Sequence, residues 1–235
     1  MGNVYQGILN GKSKKIALLF DPDKQNMLNL EHILSRAISP ISMILVGGSL
    51  VYSDVDPFVE RIKSSTNLPV VLFPGSAQQF SGKADAVLLL SLISGRNPEF
   101  LIGNHIQVSM RLKQSGMEAI PTGYILIDGG NTTSVQYMSN TMPIPASKVD
   151  IAVATALAGE QLGLKIIYLE AGSGASNAVP LATISAIRGE ISVPLIVGGG
   201  LRTPRQIEDV WSAGADIAVI GNALENNPEI LDYFR

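Results

Sequence analysis

A chain of 235 residues, 46 % of them hydrophobic, is long enough to bury one large core. It carries 17 Lys and Arg against 20 Asp and Glu, a net charge of −3 with no basic stripe, which argues against a nucleic-acid partner. Cysteine is absent and His32 and His105 are the only histidines, which excludes disulfides, thiolate zinc sites, cysteine nucleophiles and histidine-rich metal sites.

The N-terminal MGNVYQGILNGKSKK has no apolar signal core, and Gln6 stands where a myristoylation site carries Ser or Thr. No apolar run reaches the roughly 18 residues of a membrane span. The expectation is a cytoplasmic protein without a transmembrane segment. Further on, short runs rich in Val, Ile and Leu recur: IALLF at 16–20, SMILV at 42–46, PVVLF at 69–73 and DAVLLL at 85–90. GYILI at 123–127, KIIYL at 165–169, VPLIV at 193–197 and DIAVI at 216–220 complete a set of eight. The runs are continuous rather than alternating, as in parallel strands covered on both faces. Helical spacing fills Pro98 to Gln114, Lys148 to Leu162, Pro180 to Arg188 and Pro204 to Ala213. Proline near the start of three of these suits a first helical turn.

This alternation predicts a single (β/α)8 TIM barrel over residues 1–235. An open doubly wound sheet is the runner-up; the strand count and the lack of an early G-x-G-x-x-G weigh against it. Only eleven residues, PGSAQQFSGKA, separate Phe73 from Asp85, so the third helix is expected to be short or missing. GGNTTSVQYMSNTMPIPAS, between Asp128 and Lys148, is long for a connection in a compact domain and reads as a lid or binding loop.

Barrels place chemistry at the C-terminal ends of their strands. Strand six ends in Tyr168-x-Glu170 and Gly172-Ser173-Gly174, strand seven in Gly198-Gly199-Gly200, strand eight in Gly221-Asn222. Glycine lets backbone amides approach an anion, and a following helix start adds partial positive charge, so the three loops together read as a phosphate cradle. Taken singly, each is equally a tight turn. Asp21 and Ser49, with Asp23 nearby, offer hard oxygens suited to Mg²⁺; Asp21 and Asp23 are alternatively caps of the first helix. Lys24 and Arg96 either meet a diphosphate or are solvated charges. Tyr168 and Glu170, two apart on a strand, project to one face, which places Glu170 as a general base beside the cradle. His32, His105 and Trp211 read as packing or surface residues.

LLFDPDK, LVGGS, SLISGRNP, PTGYILIDGG, ALAGEQLGLKIIYLEAGSGA, VPLIVGGGLRTP and VIGNALE together resemble the geranylgeranylglyceryl phosphate synthase family, from about Lys15 to Glu225. The resemblance implies a Mg²⁺-dependent prenyltransferase that joins geranylgeranyl diphosphate to the 3-hydroxyl of sn-glycerol 1-phosphate and releases diphosphate. It implies glycerol-phosphate contacts at Tyr168, Leu169, Glu170, Ala171, Gly172, Ser173, Gly174, Gly199, Gly200, Gly221 and Asn222. Metal ligation falls on Asp21 and Ser49, and catalysis on Glu170 and Tyr168. It further implies a homo-oligomer, dimeric or hexameric, with transient membrane contact for the prenyl substrate and product. The short third connection is expected to open a prenyl groove beside strands two to four, covered by the Asp128–Lys148 lid.

One departure bears on subtype and a second on the role of the lid. The heptaprenyl-using branch has Lys where this chain has Leu19, which favours the geranylgeranyl donor. The lid reads IDGGNTT where relatives often have Glu-Pro-Gly. The alternatives are a heptaprenylglyceryl phosphate synthase, a phosphate-binding barrel isomerase or lyase, and a barrel that binds a phosphorylated ligand as a sensor.

Overall fold

A computed structural model describes residues 4–10, 14–24, 27–36 and 39–234. Its eight parallel strands close in chain order: β1 Lys15–Phe20, β2 Ile41–Val46, β3 Val70–Leu72, β4 Ala86–Leu92, β5 Glu118–Leu126, β6 Ile166–Glu170, β7 Leu195–Gly198 and β8 Ile217–Ile220. All eight apolar runs are strands, and the fold is the TIM barrel expected. The runs are continuous because both faces of each strand are buried. Ala17, Leu45, Val71, Leu88, Tyr168 and Ile196 pack inside the barrel. Their neighbours Leu18, Ile44, Leu72, Val87, Leu169 and Val197 face the helices. Burying each large aliphatic side chain contributes about 1.5–3 kcal/mol.

The helices are α1 Val4–Leu9, α2 Met27–Ser35, α3 Val55–Ser65, α4 Asn104–Ser115, α5 Ser134–Ser139, α6 Val149–Gln161, α7 Leu181–Glu190, α8 Pro204–Ser212 and α9 Asn222–Asn226. α8 begins with Pro204 behind a Thr203 cap, in a reciprocal box with Gln206. After β3 there is only a 3₁₀ turn, Ala77–Gln79, in place of a helix. α4 is preceded by a π turn, Glu99–Gly103, because the backbone amide and side chain of Asn104 both use the Glu99 carbonyl. The long connection carries the short α5 and pairs with β5 through an Ile127–Ile144 bridge.

α1 was not anticipated. Val4 and Ile8 bury themselves against the inner core. Glu118, at the start of β5, accepts from the amides of Val4 (2.6 Å) and Tyr5 (3.3 Å). Lys15 donates to the carbonyls of Gly7 and Ile8, each at 2.8 Å. An acid at the N-terminus and a base at the C-terminus complement the helix dipole. No helix among the described residues is long and apolar enough to cross a membrane.

Candidate active site

The C-terminal ends of the strands surround a polar cavity with an empty volume of about 1490 Å³, part of it open to solvent. Asp21, Ser49, Glu170, Ser173, Gly199 and Asn222 line it, with Tyr168, Gly174, Gly200 and Gly221. It joins an apolar cleft of about 940 Å³ beside β3 and β4, where no α-helix follows β3. Gly48, Ser49, Phe73, Tyr124 and Val135 belong to both. Val135, Met138 and Ser139 of the long connection wall the cleft, so that segment covers the groove as a lid.

Glu170 closes β6 between Leu126 of β5 and Gly198 of β7. Its side chain is buried, and Oε1 accepts from the Gly172 amide at 2.7 Å. Burial raises its pKa from the ordinary carboxylate range to about 7, opposed by the Gly172 amide and the Tyr168 hydroxyl. That hydroxyl is buried next to the carboxylate without a hydrogen bond of ordinary geometry. A Cβ at Gly198 would stand 2.4 Å from it and 3.1 Å from Glu170 Oε2, so both groups converge on one point. A carboxyl that titrates near neutrality inside a cleft is suited to take a proton.

The glycine loops pack closely around that carboxylate. Gly199 has φ +79°, and a Cβ there would stand 2.2 Å from Glu170 Oε1 and 2.6 Å from the Gly172 amide nitrogen. Only glycine allows this backbone approach. Ser173 Oγ donates to Asn222 Oδ1 at 3.2 Å, joining the loops after β6 and β8. Arg202 lines the cavity and donates through Nη2 to the Ala175 carbonyl at 2.5 Å, joining the loops after β6 and β7. Three strand ends are thus tied into one cradle. Within it, Leu169 and Ala171 turn their side chains to the helix layer, so they have only backbone to offer a ligand. Gly172 offers its amide to Glu170.

Across the cavity, Asp21 sits against Gly48, where a Cβ would stand 2.7 Å from Oδ2. Burial raises the Asp21 pKa, opposed by the Asp23 amide and Lys24; the Lys24 ammonium is 3.6 Å away. Asp21 and Ser49 supply one carboxylate and one hydroxyl on neighbouring strand ends. That sparse oxygen set suits Mg²⁺, which keeps several waters and takes phosphate oxygens. No group of three or more His, Cys, Asp and Glu residues able to hold a metal occurs among the described residues. Asp23 turns away and accepts from the amides of Tyr52 (2.8 Å) and Ser53 (3.0 Å). Arg96 caps carbonyls of its own loop, Gly95 at 2.8 Å among them. His32 accepts from Arg36 Nε at 3.1 Å on the surface. Trp211 donates to the Lys15 carbonyl and stacks edge-on against Phe234. His105 lines the apolar cleft.

Sequence reasoning missed Phe73, Tyr124 and Arg202. Phe73 stacks on Tyr168 with ring centroids 5.1 Å apart, and Tyr124 lies 5.4 Å from Tyr168 and 5.8 Å from Phe73. The three rings stand where the polar cavity meets the apolar cleft. The available signal was parity: Tyr124 pairs with Tyr168 across β5 and β6, so it shares the inward face.

A family model described as the PcrB family matches residues 10–234. A Flavobacterium johnsoniae protein named geranylgeranylglyceryl phosphate synthase is 48 % identical over 97 % of this chain and 96 % of its own length. A Thermococcus gammatolerans protein of the same name is 44 % identical, covering 91 % of this chain and 85 % of its own. The solved structure of (S)-3-O-geranylgeranylglyceryl phosphate synthase from Thermoplasma acidophilum, in complex with sn-glycerol-1-phosphate, superposes with a TM-score of 0.89 at 31 % identity. It covers 97 % of this chain and 92 % of that one.

Proposed function

The chain belongs to the PcrB family, and on that premise we propose that it is a prenyltransferase joining geranylgeranyl diphosphate to the 3-hydroxyl of sn-glycerol 1-phosphate. The observation that carries this reading is Glu170, a carboxyl with its pKa raised to about 7 by burial, set in a glycine-lined polar cavity that joins an apolar cleft. A phosphorylated polyol and a prenyl chain need those two environments side by side.

In this reading the acceptor phosphate lies among the loops after β6, β7 and β8, held by backbone amides, Ser173 and Arg202. The prenyl tail lies in the cleft between β3–β4 and the lid. The allylic carbon–oxygen bond breaks and diphosphate leaves with the electron pair. The glycerol oxygen attacks the same carbon and its proton passes to Glu170. Tyr168 orients the acceptor beside that base. Positive charge growing on the allylic carbon faces the rings of Phe73, Tyr124 and Tyr168, a kind of interaction worth about 2 kcal/mol when desolvated. Asp21 and Ser49 would hold Mg²⁺, which supplies Lewis-acid stabilisation of the leaving diphosphate when bound.

Two features support the C20 donor over a longer one: Leu19 at the end of β1, and the Phe100 ring that takes up space in the cleft. Exposed Ile102, in the π turn, and Ile106 and Met110, on α4, recur four apart, a stripe that supports self-association in a homo-oligomer. The cleft itself argues against an isomerase of small sugar phosphates, which would have no apolar tail to place there.

The test is turnover. Purified chain with Mg²⁺, labelled sn-glycerol 1-phosphate and C20 or C35 prenyl diphosphate is expected to give prenylated glycerol phosphate, with the C20 donor preferred and the sn-3 enantiomer inert. No product with either donor would return the site to the isomerase or sensor reading.

A further inference from the structure

We propose that Asn131 is a positioning residue that couples the two substrate sites, because it fastens the lid over the apolar cleft to the loop that lines the polar cavity. The proposal rests on the prenyltransferase reading, in which those cavities hold the donor tail and the acceptor phosphate.

The lid and the loop after β6 meet at the lid's root. Asn131 Oδ1 accepts from the Ser176 amide at 2.7 Å and the Ser176 hydroxyl at 3.0 Å, and Nδ2 reaches the Gly174 carbonyl at 3.4 Å. Beside it, the Gly129 carbonyl accepts from the Asn177 amide at 2.9 Å. Deeper, buried Thr133 packs so tightly on Gly172 that a Cβ at Gly172 would lie 2.5 Å from its side chain. The loop fastened this way carries Ser173 and Gly174 into the polar cavity. The lid, a few residues beyond Asn131, carries Val135 into both cavities and Met138 and Ser139 into the cleft.

Together with the Ile127–Ile144 bridge and the Asn97 Nδ2 bond to the Ser139 carbonyl at 2.8 Å, these contacts set the position of the lid. A phosphate that fixes Ser173 and Gly174 also fixes Ser176, then Asn131, then the wall of the cleft. The second ligand meets a segment already ordered and loses less conformational entropy on binding. Linkage requires the effect to be reciprocal. Asn131 touches neither ligand in this scheme; it acts through its neighbours.

The test uses geranylgeraniol, which fills the cleft but has no leaving group, so nothing turns over. Affinity for sn-glycerol 1-phosphate is measured by titration calorimetry with and without it. In the unaltered chain the acceptor is expected to bind about fivefold tighter or more when the alcohol is present, the low end of ordinary coupling. Asn131→Ala should lose that gain while keeping the melting temperature within a few degrees. Asn131→Asp retains an oxygen for Ser176 and should recover it. An acceptor affinity indifferent to geranylgeraniol in the unaltered chain, or coupling that survives Asn131→Ala, overturns the proposal alone. Absence of any acceptor binding by the unaltered chain overturns the functional reading with it.

Discussion

The Gly172 amide donates to Glu170 Oε1 at 2.7 Å, across the turn that leads from β6 into the acceptor loop. The bond orients one carboxylate oxygen and leaves Oε2 facing the point near Gly198 where the Tyr168 hydroxyl also converges. It favours the charged form, but burial is the larger effect and holds the pKa near 7. A base must be ionised to work, so kcat/KM should rise with pH and level off above about 7. Glu170→Gln should lower it by two orders of magnitude or more, within the range ascribed to general base catalysis, and should abolish the inflection. A pH–rate profile of both proteins checks this. An unchanged inflection in the variant would assign the titration to another group.

The same carboxyl costs stability. Its proton is held more tightly in the folded chain (about 7) than at its ordinary value of 4.5. The folded state therefore binds more protons between those values, and stability falls as pH rises through that window. By pH 8 the cost is on the order of 3 kcal/mol. Glu170→Gln should consequently melt higher than the unaltered chain at pH 8 and show a smaller difference at pH 4. Thermal melts at both values decide it, and a variant that melts lower at pH 8 would show that the carboxylate is better satisfied than its burial implies.

Gly199 is held by two independent constraints, φ +79° and a Cβ position 2.2 Å from Glu170 Oε1. Gly199→Ala adds backbone strain of about 1–3 kcal/mol and pushes the base from its place. Both the melting temperature and the acceptor affinity should fall. Gly116 has φ +68° with no atom near its Cβ position, so Gly116→Ala should lower stability without altering acceptor affinity. Calorimetric titration of sn-glycerol 1-phosphate into the two variants separates strain from site geometry.

Among the described residues, Asp21 and Glu170 are the carboxylates that line the polar cavity; Asp23 is occupied by the amides of Tyr52 and Ser53. Asp21→Asn should raise the Mg²⁺ concentration needed for half-maximal rate by tenfold or more, the size of effect expected when one ligand interaction of about 1.4 kcal/mol is lost. Asp23→Asn should leave it nearly unchanged. EDTA should stop turnover of the unaltered chain and added Mg²⁺ restore it. Full activity in EDTA would remove the metal from the reading.

The difference between Asp21 and Asp23 marks where sequence stops being informative. Both lie in one DPD triplet, and only the partners contributed by the loop after β2 tell them apart. The barrel itself was legible because each strand is buried on both faces and so reads as an unbroken apolar run. That the loops after β6, β7 and β8 line one cavity was legible because glycine and acid stand where those runs end. α1 was not, because six residues with two buried side chains give no period, and the groups that cap it, Glu118 and Lys15, lie elsewhere in the chain. Arg202 and Tyr124 were hidden for a related reason. An arginine after a glycine run looks solvated until its partner carbonyl, Ala175, is seen on another loop. An aromatic inside a strand looks like packing until the cleft beside it is open.

That cleft gives the last prediction. Phe100 belongs to the π turn before α4 and packs partly buried against the inner core. It lines the cleft but not the polar cavity, so its ring occupies space the tail would otherwise enter without touching the reacting groups. Phe100→Ala removes that ring and opens volume along the tail. Each additional methylene that becomes buried contributes about 0.8 kcal/mol, so a C35 donor has much to gain and a C20 donor little. The ratio of kcat/KM for C35 over C20 donor should rise tenfold or more, chiefly through the C35 value. Arg111 stands over the Phe80 ring at 4.5 Å and so braces a different wall of the cleft. Phe80→Ala should therefore weaken both donors alike. Competition between the two donors in one reaction, read by product mass, measures the ratio directly. A ratio unmoved by Phe100→Ala would place the end of the tail elsewhere in the cleft.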